Sequence, residues 1–472
     1  MRSSKLTAIG SVLLLALLPA SAGAQELSGL VKRLFDAVTI NATSGTVSHQ
    51  SHFFLGGDNL TKAQRQLNVA LAQQVTTFPL PSSSGGFTFG KNPAGEIVPT
   101  STTFGPLFAE RAVTIGAKKF NFGYTFQAVS FDSYEGVKLD SDNLKFVSQH
   151  NNCCPAGVGV PTNVTDFFPE FERDLLVSTL TADITTQTNA FFANYGVTNR
   201  FDIGLAVPIV HVSLDASVTG EILRTATAAT PTVHSYDGNG QTSKTVASSG
   251  TATGLGDVLV RAKFNAYRSA NTAIAGALDL RLPTGDKEQL LGTGGTQTQF
   301  YFIASGEYGR VSPHVNIGYT FSTGTGAEDA SDVEDPGTQF GPPAATVSTA
   351  ALDISVPDEV NYTFGVAFAP HPKVTVGFDL RGRTMRDVTR FVLDSTTYDN
   401  RGPGLVLPTA PTTVSDEFVD QPQSNLTQLL GVVGGKINLG GTFLLNLSLL
   451  FPLNDDGLKA KPTPVVGFDY VF

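Results

Sequence analysis

Past its first two dozen residues the chain lacks any apolar run of about 18 uncharged residues, the least a membrane-crossing helix needs. An inner-membrane helical protein is thereby excluded. Charge is scarce: charged residues make up 15% of the 472, and the balance is acidic, at a formal net charge of −10. That sign argues against a nucleic-acid partner. Cysteine is nearly absent. The two present, Cys153 and Cys154, are neighbours, and adjacent Cα atoms, about 3.8 Å apart, lie below the usual disulfide range. The pair forms either a strained vicinal disulfide or two free thiols.

What is present begins with an export signal. Arg2 and Lys5 precede the apolar run Ala8 to Leu18, and Ala22-Gly23-Ala24 offers a small-residue cleavage site. Residues 1–24 are expected to be a signal peptide. No cysteine sits at the cut, which argues against a lipoprotein. Residues 25–84 read as an N-terminal helical segment able to plug a lumen. Leu27, Leu30, Val31, Leu34, Phe35 and Val38 recur at helical spacing, and a second helical stretch is expected over 62–74.

Residues 85–472 read as all-β, a transmembrane antiparallel β-barrel. Apolar residues alternate with polar ones: Phe201, Ile203, Leu205 and Val207 oppose Asp202, Gly204 and Ala206, while Val374, Val376, Phe378 and Leu380 oppose Asp379, Arg381 and Arg383. Short connections such as 198–200, 269–271 and 370–372 alternate with long polar loops over 133–172, 226–254, 284–296, 324–357, 386–423 and 453–462. Sorting loops by length in this way matches the two rims of an outer-membrane barrel. Counting segments back from the C-terminus gives about 14 strands, including candidates at 85–91 and 111–118. The run 425–436 alternates too poorly to assign its faces.

The last strand carries Phe468, Tyr470 and Phe472 on one face, with Gly467 and Asp469 on the other. It resembles the terminal strand of bacterial outer-membrane barrels, whose assembly machinery reads a final aromatic residue. Further motifs carry a closer resemblance. These are Phe104-Gly105-Pro106-Leu107-Phe108-Ala109-Glu110-Arg111-Ala112, Gly254-Leu255-Gly256-Asp257 with Arg261-Ala262-Lys263, and Leu280-Arg281-Leu282-Pro283-Thr284-Gly285-Asp286. They are similar to the outer-membrane transporter family associated with phenol meta-pathway degradation, related in architecture to plugged fatty-acid and aromatic-hydrocarbon channels. The resemblance implies an outer-membrane channel for small hydrophobic or aromatic compounds.

The charges expected in the lumen are Asp183, Asp202, Asp257, Arg261, Lys263, Asp279, Arg281, Glu307, Asp379, Arg381, Arg383 and Asp469. Two readings stand: a paired wall network, since buried charges need partners, or a selectivity path. No catalytic residue, cofactor or metal is expected. His211 and Ser213 share a face without a third member or an oxyanion hole, and His49 with His52 is incomplete as a metal site. The acidic run Glu328, Asp329, Asp332, Glu334 and Asp335 fits no known calcium loop and suits a solvated acidic loop or one bridged by divalent ions to lipopolysaccharide. The expected surroundings are outer-membrane lipid and lipopolysaccharide, the barrel assembly machinery and a small hydrophobic substrate. The alternative is a non-transporting barrel, a surface scaffold or adhesion protein acting through its loops.

Overall fold

The computed structural model describes residues 26–38, 40, 43–44, 47–48, 73–77, 79, 89–91, 97–99, 101–141, 144–149, 174–224, 234–324, 356–398 and 412–471. Cys153, Cys154, Phe472, His49, His52 and the acidic run 328–335 lie outside them. No helix among the described residues is long and apolar enough to cross a membrane. The crossing is made by strands.

Twelve of them form a closed ring: β1 (Phe120–Tyr134), β2 (Leu175–Gly196), β3 (Phe201–Leu223), β4 (Val258–Arg268), β5 (Thr272–Leu282), β6 (Thr296–Gly306), β7 (Val311–Thr323), β8 (Glu359–His371), β9 (Val374–Tyr398), β10 (Thr412–Gly440), β11 (Phe443–Pro452) and β12 (Thr463–Val471). Every strand pairs antiparallel with its sequence neighbours, and β12 closes on β1 with Phe468 opposite Tyr124. Closure leaves no free edge in the ring. An even strand number puts both ends of the ring at the rim of short turns, as bacterial barrels require. The short turns 197–200, 269–271, 307–310, 372–373 and 441–442 all lie there.

The ring has two strands fewer than the alternation suggests. Of the candidate at 85–91 the described part, Phe89–Lys91, pairs with Ile97–Pro99 instead, and 111–118 forms no strand. Residues 111–118 run inside the lumen, where Ala112 and Ile115 are buried. Ala112 and Val113 pack together against Ala273, Ala275, Ala277 and Ile303 of the wall.

The lower wall is inside-out, as lipid demands. Phe191, Tyr195, Ile203, Leu205, Phe264, Phe300, Phe302, Phe364, Phe378 and Tyr470 are exposed on the outer face, while Asn121, Asp202, Lys263, Asp279, Asp379 and Asp469 are buried inside. Aromatic rings bridge the closing seam. Phe443 stacks on Phe468 with centroids 5.6 Å apart, and Tyr124 lies 5.4 Å from Phe468 and 5.3 Å from Phe191.

Higher up, the chemistry reverses while the side-chain parity does not. On β2 and β3 the inward residues become Leu180, Ile184, Val212, Leu214 and Val218, and the outward ones Thr181, Asp183, Ser213, Asp215 and Ser217. A polar outer face marks wall standing above the bilayer. Since about 10 residues suffice for a strand to cross, β9 and β10, at 25 and 29 residues, rise far beyond it. Much of what reads as loop over 386–423 is thus continued hairpin. Likewise Ser243–Leu255 forms a strand on the upper part of β3.

The apolar upper lumen holds helix α1 (Leu30–Ala37). Eight residues are too few for a helix stable on its own, so packing holds it. Leu27, Leu30, Val31, Leu34, Phe35 and Val38 are buried against Leu180, Val212, Leu214, Ala252 and Phe391. Lys244 Nζ donates to the Ala37 carbonyl at 2.7 Å, satisfying an end-of-helix acceptor.

Candidate functional site: a segment threaded through the lumen

Residues 101–118 cross the lumen near the short-turn rim without regular secondary structure. A buried irregular backbone must find hydrogen-bond partners, because an unpaired peptide group is costly. Here the wall's inward polar side chains supply them. Asp379 Oδ2 accepts from the backbone N–H of Phe108 at 2.5 Å and of Ala109 at 2.9 Å. Asn316 takes the Glu110 N–H at 2.6 Å and donates to the Glu110 carbonyl at 3.1 Å. Thr375 accepts from the Phe104 N–H at 2.8 Å, Ser305 from Ala112 at 3.1 Å and Asp202 from Ile115 at 3.0 Å. Asn265 donates to the Ala112 carbonyl at 2.9 Å. Wall residues that read as a selectivity ladder therefore serve in large part as hydrogen-bond partners for a plug.

Apolar contacts complete the seat. Leu107 and Phe108 pack against Val432, Leu450 and Val465. This settles the faces of 425–436: Val432 and Lys436 point inward and Val433 outward. Alternation fades there because the inner face is itself apolar where it meets the plug. The close approach needs glycine in the wall. A Cβ at Gly365 would stand 3.3 Å from Ala109 Cβ, and one at Gly377 would stand 3.1 Å from Leu107 Cγ.

Charge pairing locks the segment further. Glu110 meets Arg261, and the same guanidinium grips Asp279 through Nε at 2.7 Å and Nη2 at 2.6 Å. Lys263 Nζ lies 3.8 Å from Glu110 and donates to the Arg111 carbonyl at 3.2 Å. Arg111 pairs with Glu307 at 2.5 Å. Bidentate Arg–carboxylate contacts are the strong form of this interaction. Glu110 and Arg111 are the partners that the wall charges alone did not reveal. The motif 104–112, singled out in the sequence for its resemblance alone, holds them.

Above this segment lies a cavity of about 140 Å³. Phe108 and Glu110 floor it, Thr77 and Pro79 cover it, and Phe192, Asn194, Arg261, Asp279, Arg281, Gln299, Tyr301, Asn361 and Arg381 line it. The cover is anchored in turn. Arg383 donates to Thr77 Oγ1 at 2.5 Å and to Gln428 at 2.8 Å, and Gln74 Oε1 accepts from Gln428 and from the Leu458 N–H, both at 2.5 Å.

Two of the expected lumen charges are placed elsewhere. Asp183 faces outward opposite Asp215, because the inward positions of β2 are the even ones and this level stands above the lipid. Asp257 is buried but serves a loop. It accepts from the Gly285 N–H at 3.1 Å and the Thr293 N–H at 2.8 Å, which joins the Gly254–Asp257 and Leu280–Asp286 motifs physically. Asp469 holds Asn446 at 2.5 Å. His211 bonds to Thr253 at 2.6 Å. No cluster of three or more metal-ligating side chains occurs among the described residues.

The sequence model of the family described as "Putative MetA-pathway of phenol degradation" matches residues 175–406. The matched stretch of this phenol-degradation family runs from β2 into the loop after β9, and includes Asp202, Arg261, Asp279, Asn316 and Asp379. No curated protein matches the chain in sequence. Among solved structures, an outer-membrane channel from Pseudomonas putida F1 is similar at 11% identity and a TM-score of 0.41, covering 76% of this chain and 98% of that one. The P. putida toluene transporter TodX is similar at 10% identity and a TM-score of 0.33, covering 84% and 98%. The Ralstonia pickettii toluene transporter TbuX is similar at 13% identity and a TM-score of 0.32, covering 84% and 99%.

Proposed function

We propose that this protein is an outer-membrane channel for uptake of small hydrophobic or aromatic compounds, exported by its N-terminal signal. The observation that carries the reading is a cavity inside a closed barrel, floored by Phe108 and Glu110 and covered by Thr77 and Pro79. A scaffold needs no such chamber. A compound enters from the side of the long loops, rests in the cavity and leaves when the threaded segment shifts. The threading keeps polar solutes from leaking through a ring of this size. Residues 25–84 contribute the upper part of the plug through α1 and the 73–79 cover. The family's link to phenol degradation suits an aromatic cargo.

The test is uptake of labelled toluene and of a long-chain fatty acid, with a sugar as control, in cells lacking their own hydrophobic channels. Saturable uptake of an apolar compound without the sugar supports the channel. No uptake by an inserted, folded barrel overturns it and favours the surface scaffold, whose support is the height of β9 and β10 above the bilayer.

A further inference from the structure

The charges around the cavity do not balance. Glu110 and Asp279 are met by Arg261 and Lys263, two carboxylates against two cations. Glu359 lies 3.7 Å from Arg383. Arg281 and Arg381 then remain. Both line the cavity, and among the described residues neither guanidinium has a hydrogen-bond or ion-pair partner. Arg383, Arg281 and Arg261 all stand near enough for their charges to oppose that of Arg381, and Glu359, shared with Arg383, is the one carboxylate near enough to favour it. Both side chains are half-buried, and the natural complement of their planar forks is a carboxylate.

The rest of the cavity is not built for a bare anion. Phe108 rises from its floor, Phe192 and Leu259 form an apolar wall, and Tyr301 stands beside Arg261 at 5.5 Å. A chamber of about 140 Å³ is close to the roughly 150 Å³ that accommodates one benzene ring.

We propose that the lumen cavity binds a single-ring aromatic carboxylate, with Arg281 and Arg381 receiving the carboxylate and Phe108, Phe192 and Leu259 receiving the ring. This inference rests on the channel reading and narrows its cargo from apolar compounds in general to aromatic acids. The site gives the substrate a stopping point midway. Its carboxylate exchanges bulk water for two guanidinium groups, and the threaded segment below decides when it leaves.

The experiment is equilibrium binding of labelled benzoate to the purified full chain in detergent. Toluene, a ring without charge, and acetate, a charge without a ring, serve as competitors. Saturable benzoate binding is expected, with toluene and acetate each competing at least about 10-fold more weakly than benzoate, a difference of about 1.4 kcal/mol. The double variant Arg281→Gln/Arg381→Gln, shown folded by heat-modifiable gel mobility, is expected to bind benzoate at least about 10-fold more weakly, again about 1.4 kcal/mol. On the unaltered chain, benzoate binding is expected to weaken as salt rises. Absence of saturable benzoate binding overturns the proposal. So does toluene competing as well as benzoate, unchanged affinity in the folded double variant, or binding indifferent to salt. The two readings fail separately. Benzoate bound but never taken up by cells removes the channel and keeps the site, while toluene taken up with no benzoate bound removes the site and keeps the channel.

Discussion

Asp379 Oδ2 accepts the backbone N–H of Ala109 at 2.9 Å from a position 270 residues away in sequence. The same oxygen takes the N–H of Phe108 at 2.5 Å. One wall carboxylate thus fixes the midpoint of the segment that closes the lumen. Asp379→Ala leaves both N–H groups buried and unpaired, at a cost of about 1–3 kcal/mol each. The barrel remains closed because the strand ladders do not involve this side chain. The expected outcome is a folded protein that leaks. Ion conductance in planar bilayers rises over the unaltered chain, and Asp379→Asn, which keeps one acceptor oxygen, falls between the two.

Arg261 is the hub of the charge cluster, touching both Glu110 and Asp279. Arg261→Gln strands Asp279 and leaves Glu110 with Lys263 alone at 3.8 Å, and breaking a buried pair by removing one partner costs about 3–5 kcal/mol. Urea or thermal unfolding in detergent, followed by heat-modifiable gel mobility, is expected to show a clear loss of stability. Adding Glu110→Gln to Arg261→Gln is expected to recover part of it, since a weakly paired carboxylate is then gone.

The reversal of wall chemistry with height above the short-turn rim predicts two different responses to the same new charge. Phe302 is exposed on the lipid face, and Phe302→Arg is expected to cost about 2–4 kcal/mol in refolding titrations with lipid vesicles. Asp183 is exposed above the bilayer opposite Asp215. Asp183→Arg removes a like-charge contact there, and its effect is expected to stay within about 0.5 kcal/mol. Equal losses for the two variants would contradict the assigned lipid boundary.

Much of the barrel is legible from alternation alone, because lipid outside and polar groups inside impose a period of two. The strands that carry the quoted alternations, Phe201–Leu223 and Val374–Tyr398, lie where that pattern places them. Legibility fails where the lumen is not polar. At 425–436 Val432 points inward to meet Leu107 and Phe108, so both faces of the strand are apolar. At 111–118 the sequence alternates but the segment threads the lumen, with the neighbours Ala112 and Val113 packed into one apolar cluster. Asp183 is misleading for another reason: a charge on a barrel strand suggests a lumen only within the bilayer, and β2 continues above it. Of the site, the wall half was readable as charged inward positions. The plug half was not, since Glu110 and Arg111 gain their partners only after residues some 150 to 200 positions later fold around them.

The central claim is that the segment carrying Leu107 must move for a compound to pass. Leu107 Cγ lies 3.1 Å from where a Cβ at Gly377 would stand, so Leu107→Cys with Gly377→Cys brings two sulfurs within disulfide range. The deciding measurement is uptake through this double variant, with Cys153 and Cys154 changed to serine, compared before and after reduction. The cargo is whichever of labelled toluene or benzoate enters through the unaltered chain. The account predicts that uptake is blocked when the pair is oxidised and restored when it is reduced. Equal uptake in both states, with the disulfide shown to have formed, would contradict it.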